Sequence, residues 1–188
     1  MSSERGRLIV ISGPTASGKS TLWRRLVALP GVRFSVSATT RSPRPGEVDG
    51  RDYHFLDDRE FDRRLAAGEF LEHAEVHGRR YGTLRAEVER ALAAGEDLVL
   101  EIDVQGAEQL RGCGLPMVSI FVAPPSEEVL RERLRGRGTE SEEEMKRRLA
   151  IVRREMDRAG EYDHVVVNDD FERMLAEVLD LLGLEEKA

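Results

Sequence analysis

Residues 13–20 read Gly-Pro-Thr-Ala-Ser-Gly-Lys-Ser, the G-x-x-x-x-G-K-[ST] spacing of a loop that cradles phosphate groups. The residue types explain the chemistry. Gly13 and Gly18 let backbone N–H groups turn inward, and a helix beginning behind the loop adds partial positive charge. Lys19 can reach the β- and γ-phosphates of a nucleotide, and the Ser20 hydroxyl can bind Mg²⁺. The flanks agree: Leu8-Ile9-Val10-Ile11 reads as a buried strand, and residues 21–29 place Leu22, Leu26 and Leu29 on one helical face. This loop points to a bound nucleoside triphosphate.

Three further groups of residues could complete a transfer site. In the stretch 37–47, Arg41 and Arg44 lie three apart among prolines and a glycine, and their forked donors suit bidentate recognition of phosphate. The phenols of Tyr53 and Tyr81 are candidate donors to the same anion. Glu101 interrupts the apolar run 98–102, so it must face a cleft or find donors; with Glu72 it is a candidate acceptor for the N1–H and 2-amino groups of guanine. Asp103 stands at the end of that run, where an acidic residue can hold Mg²⁺ or cap the following helix. Arg137 sits between Gly136 and Gly138, and Arg148 follows on a helical stretch; arginines brought to a transferring phosphoryl group would neutralise its charge. His73 and His77 have helical i,i+4 spacing but no third ligand, Cys113 has no catalytic neighbours, and Trp23 reads as packing.

The elements that must hold these residues follow from the apolar pattern. Runs at 8–11, 34–36, 98–102, 117–122 and 165–167 read as buried parallel strands, with helices at 85–94, 104–110, 127–135, 141–158 and 171–182. Alternating strands and helices give an α/β fold with a mainly parallel sheet flanked by helices. Two stretches break the alternation: 39–81, polar and with short strands of its own, and the arginine-rich 133–148, where Ser141 and Glu144 suggest a capping box and Met145, Leu149, Val152 and Met156 an apolar stripe. The length of 188 residues suits one domain, and the formal net charge of −7 disfavours a nucleic-acid surface. One cysteine and the absence of a long apolar run fit a cytoplasmic protein that does not insert in membranes.

Taken together, the motifs resemble those of guanylate kinases over nearly the whole chain. They comprise Ser-Ala-Thr-Thr-Arg-Ser-Pro-Arg-Pro-Gly-Glu at 37–47, Asp-Gly-Arg-Asp-Tyr-His-Phe at 49–55, Phe-Leu-Glu-His-Ala at 70–74 and Tyr-Gly-Thr at 81–83. Glu-Ile-Asp-Val-Gln-Gly at 101–106, Arg-Gly-Arg-Gly-Thr at 135–139 and Val-Asn-Asp-Asp at 167–170 continue the likeness. The resemblance implies a P-loop fold in one domain, with a core of 1–36, 84–132 and 150–188, a GMP-binding segment at 37–83 and a lid at 133–149. It implies MgATP-dependent phosphorylation of GMP or dGMP, with Ser37, Glu72, Thr83 and Glu101 reading guanine. Arg41, Arg44, Tyr53 and Tyr81 would hold the GMP phosphate, with Glu47 in the same set. Gly13, Pro14, Thr15, Ala16, Ser17, Gly18, Lys19, Ser20 and Thr21, with Arg137 and Asn168, would bind ATP; Ser20 and Asp103 would serve the metal. Catalysis would fall to Lys19, Arg41, Arg137 and Arg148 by positioning and charge neutralisation, without a general base, because the attacking phosphate oxygen is already anionic.

Two departures stand out. The family's loop usually reads G-P-S-G-x-G-K, whereas Thr15-Ala16 stands here, and alanine tolerates positive φ less well than glycine. The form G-P-T-A-S-G-K also resembles the loop of tRNA dimethylallyltransferases, which would need a basic surface and would leave 37–55 without a role. Some family members carry Asp where Glu101 stands.

Overall fold

A computed structural model describes residues 6–76, 78–135 and 142–186. Its centre is a five-stranded sheet made of β1 (Leu8–Ser12), β2 (Val32–Phe34), β7 (Asp97–Glu101), β8 (Met117–Ala123) and β9 (His164–Val167), in the order β2-β7-β1-β8-β9. Every pairing in it is parallel. All five residues of β1 are buried, as a central strand covered on both faces requires. The five expected strands are all present; the second is shifted to end at Phe34, with Ser35 N–H still donating to the Val99 carbonyl at 2.9 Å.

Alternation along the strands sends side chains to two separate cores. Val10, Leu100 and Phe121 pack against α3 (Arg85–Ala93) and α4 (Val104–Leu110), through Val88, Leu92, Val104 and Leu110. Ile9, Ile11, Val99 and Val122 pack on the other face against α1 (Lys19–Leu26) and α7 (Phe171–Leu182), through Leu22, Leu26, Met174, Leu175, Val178 and Leu182. After β1 the chain crosses to the β2 and β7 side, then returns to β8 on the opposite side. The switch point therefore lies at the carboxyl end of β1, where open sheets of this kind bind ligands. The phosphate-loop motif starts there.

The inserted stretch forms a second sheet, order β4-β3-β6-β5, from β3 (Ala38–Thr39), β4 (His54–Phe55), β5 (Phe70–Val76) and β6 (Arg79–Leu84). It also contains α2 (Asp58–Ala66), which the apolar pattern did not announce. That helix is capped by Asp57, which accepts from Glu60 N–H at 2.7 Å, and buries only Phe61, stacked on Phe70 at 4.5 Å between ring centroids. Because β5 is a strand, the i,i+4 spacing of the two histidines is not helical: His73 is exposed on it, and His77 lies outside the described residues. Between β8 and β9 in the chain, α5 (Glu127–Arg135) and α6 (Glu142–Met156) pack through Leu130, Leu134, Met145, Leu149 and Val152. Among the described residues no helix is long and apolar enough to cross a membrane.

Candidate active site

The loop between β1 and α1 has the backbone its glycines permit. Gly13 (φ 138°) lies so close to β8 that a Cβ there would stand 2.3 Å from the Val122 carbonyl oxygen. Gly18 (φ 105°) ends the loop as the N-cap of α1. Lys19 Nζ donates to the carbonyls of Gly13 and Pro14 at 2.6 and 2.8 Å, so the ammonium curls back over the loop. Ala16 adopts φ 65°, the left-handed conformation that glycine would take without strain, and is the one described non-glycine residue with positive φ. Thr15, Ala16, Gly18, Lys19, Ser20 and Thr21 border a small cavity of about 160 Å³ together with Glu101. Ser17 is fully buried.

A larger cleft of about 760 Å³ runs from this loop to the inserted sheet, bordered among others by Lys19, Ser20, Ser37, Tyr53, Glu72, Tyr81, Glu101 and Asp103. At one end Glu101 meets the loop: Ser20 Oγ lies 3.2 and 3.3 Å from its two carboxylate oxygens, and Trp23 Nε1 donates to it at 2.6 Å. Trp23 is itself stacked on Phe34 at 4.1 Å. It packs, as its sequence position suggests, and also orients a carboxylate, a role the sequence reading missed. The available signal was the demand of Glu101 for donors inside an apolar strand.

At the other end Glu72 is buried, 4% exposed, on β5. Thr83 Oγ1, from the neighbouring strand, donates to it at 2.6 Å. Burial pushes the Glu72 carboxyl up to about 7; the Thr83 hydrogen bond opposes that shift and the nearby Asp103 charge adds to it. Asp103 caps α4 by accepting from Gly106 N–H at 2.8 Å, and also accepts from Gln105 Nε2 at 3.1 Å. A Cβ on Gly106 would stand 2.3 Å from a Glu72 oxygen and 3.4 Å from an Asp103 oxygen, so both carboxylates converge on this glycine. The two acids of the 101–103 stretch thus divide in the opposite sense to the one expected. Glu101 stands with Ser20, and Asp103 stands with Glu72. The strand ends at Glu101, and the turn into α4 carries Asp103 across the cleft.

The phosphate-holding candidates of the insertion gather around Tyr53. Its ring lies edge-on to Tyr81 at 6.1 Å, and the Arg41 guanidinium sits 5.3 Å from its centroid. Burial raises the Tyr53 phenol above its ordinary value, so it stays protonated and able to donate. Glu47 does not face the cleft as a ligand of an anion. Its carboxylate takes Arg41 in a two-point pair at 3.0 and 2.8 Å and accepts from Arg44 N–H at 2.6 Å, which holds it well below the usual carboxylate range. A carboxylate so placed orients Arg41 and shapes the loop; it would repel a phosphate. The Arg44 side chain is exposed.

Asn168, expected to bind ATP, is 7% exposed; its Nδ2 donates to the Ser17 carbonyl at 2.7 Å, which makes it a brace of the phosphate loop. Its own carbonyl accepts from Arg133 of α5 at 3.0 Å. Arg148 is exposed on α6, while Arg137 and Ser141 lie outside the described residues. Another residue that sequence reasoning passed over is Glu155, which borders the larger cleft from α6. Burial pushes its carboxyl up to about 7, against the pull of Lys19 and with the push of Asp103.

A magnesium ion accompanying a nucleotide fits this chemistry. Ser20 and Glu101 offer adjacent hard oxygen atoms at the loop, the kind of partial set that such an ion completes with phosphate oxygens and water. Among the described residues no cluster of three or more His, Cys, Asp or Glu forms a metal cage.

Comparison with known proteins gives one consistent result. The sequence model of the family described as guanylate kinase matches residues 5–185. A guanylate kinase of Symbiobacterium thermophilum is 52% identical over 183 residues, 97% of this chain and 87% of its own length. One of Rubrobacter xylanophilus is 51% identical over 179 residues, 95% of this chain and 94% of that one. The crystal structure of a guanylate kinase from Anaplasma phagocytophilum superposes with a TM-score of 0.76 at 35% identity, over 96% of this chain and 86% of its own.

Proposed function

The chain belongs to the guanylate kinase family, and from that premise we propose that it transfers the terminal phosphoryl group of ATP to GMP, giving ADP and GDP. The observation that carries this reading is the cleft itself, which joins a phosphate loop at one end to a buried carboxylate at the other. The loop N–H groups and Lys19 hold the donor phosphates. Arg41, set by Glu47, and the phenols of Tyr53 and Tyr81 hold the acceptor phosphate, with Arg44 reaching it from the exposed loop. At the base end, Glu72, held by Thr83, accepts from the N1–H and 2-amino group of guanine, with Ser37 beside it. Asp103 joins Glu72 in this role, and Glu101 serves the metal side with Ser20; the contacts of the two acids favour this assignment over the reverse. dGMP is accepted as well, since the reading relies on base and phosphate.

A bound Mg²⁺, held by Ser20 and Glu101 alongside the donor phosphates, would offset negative charge between them. The protein's own part is positioning. The acceptor oxygen is already an anion, so no side chain needs to remove a proton, and the residues' task is to align it in line with the donor and offset charge. Lys19 and Arg41 do so from the loop and the inserted segment, and Arg148 of α6 with Arg137 from the 133–149 segment acting as a lid. The protein works in the cytoplasm on small nucleotides and uses neither nucleic acid nor membrane. Chromatography of a reaction with ATP, GMP and Mg²⁺ tests the reading: ADP and GDP should accumulate one for one, and ADP formed without GDP would contradict it.

A further inference from the structure

Residue 16 combines two features that do not go together by accident of composition. Its backbone stands at φ 65°, which an alanine occupies only at a cost that glycine avoids, and a strained residue persists only where its surroundings hold it. Its methyl packs on the apolar cluster formed by Leu130 and Leu134 of α5 and by Met145, Leu149 and Val152 of α6. The same residue borders the small cavity of the phosphate loop. The next residue along the loop is held from the same side: Ser17 offers its carbonyl to Asn168, whose own carbonyl is gripped by Arg133 of α5. Two consecutive loop residues are therefore tied to the α5–α6 pair, one by an apolar contact and one by a hydrogen-bond relay.

We propose that Ala16 is a positioning residue for the donor nucleotide, its methyl anchoring the phosphate loop to the α5–α6 cluster. Glycine at this place would remove the backbone strain, yet it would also remove the anchor and widen the range of conformations open to the loop. The two effects act in opposite directions on nucleotide binding, so the sign of the change identifies the one that matters. The proposal rests on the loop being the ATP site. Wild-type turnover of ATP with GMP tests that reading separately, before any variant is made.

Ala16→Gly should raise the KM for ATP about three- to tenfold while leaving the KM for GMP within about twofold. Val152→Ala, which loosens the cluster from α6 without touching the loop, should shift the ATP KM in the same direction. The double variant should then show less than the product of the two effects, because both release one contact. Hydrogen exchange of Ala16→Gly gives a reading independent of how Val152→Ala folds: amides over Glu127–Arg135 and Glu142–Met156 should exchange faster than in the wild type. An ATP KM that is unchanged or lower in Ala16→Gly, effects that multiply in the double variant, or unaltered exchange in α5 and α6 would each overturn the proposal.

Discussion

Replacing Glu72 by glutamine should make the nucleotide-free protein more stable and the enzyme worse. The Glu72 carboxyl is 4% exposed and is pushed from its ordinary 4.5 to about 7, first by burial and further by Asp103. A carboxyl whose folded value lies above its unfolded value binds its proton more tightly when folded. Its contribution to stability is therefore complete below pH 4.5 and is lost as pH rises through the window from 4.5 to about 7. Above that window the folded state carries a buried charge, and the displacement corresponds to up to roughly 3 kcal/mol at about 1.4 kcal/mol per pH unit. Glutamine keeps the shape and an acceptor for Thr83 Oγ1 but carries no charge. In nucleotide-free melts at pH 8.5, Glu72→Gln should melt higher than the wild type by up to roughly 6–12 °C, a gap that narrows as pH falls toward 4.5. In its proposed role as guanine acceptor Glu72 supplies a charged partner worth about 1.5–3 kcal/mol, so the variant's KM for GMP should rise roughly 10- to 150-fold with the ATP KM little changed. A variant that melts below the wild type at pH 8.5, or that keeps its GMP KM, would refute the reasoning.

Other outcomes follow from the same geometry. The wild-type KM for GMP should climb as pH is lowered below about 7, approaching tenfold per unit, whereas Glu72→Gln should show a shallower profile set by the second ionisation of the GMP phosphate at about 6; a parallel slope in both would exclude Glu72 as the titrating acceptor. Gly106→Ala would press a Cβ against the Glu72 carboxylate at 2.3 Å, so steady-state kinetics should show a raised GMP KM and an unchanged ATP KM. Trp23→Phe keeps the stack on Phe34 but deletes the donor to Glu101, and a Mg²⁺ titration of activity should shift to higher metal concentration by about tenfold. Lys19→Ala should lose nearly all turnover, and retention of wild-type kcat would remove Lys19 from the role given to it.

Much of this architecture is legible in the sequence for a simple reason: buried parallel strands are short apolar runs, and the chain has five of them separated by helical patterns. The helix α2 escaped because it is a short charged segment whose apolar face is one pair, Phe61 and Leu65, of which only Phe61 is buried. The acids at 101 and 103 show another boundary. Their identity and spacing announce a ligand-facing pair, but the turn that starts α4 decides which meets Ser20 and which meets Glu72. Contacts across long stretches of chain, such as Asn168 with Ser17 or Trp23 with Glu101, leave no periodic trace, so each residue's type was visible while its partner was not. At Ala16 the sequence warned of a conformation costly to alanine; the loop takes that conformation, and the α5–α6 cluster packs against the methyl.

The central claim is that one cleft joins a triphosphate at the loop to guanine at Glu72. Its most direct test is the initial rate of ADP formation from ATP and Mg²⁺ with GMP, AMP or CMP as acceptor. AMP presents an acceptor at N1 and no 2-amino donor, which leaves Glu72 and Asp103 facing no partner. Turnover should therefore be strong with GMP and weak with AMP and CMP. Equal rates with GMP and AMP would contradict the account.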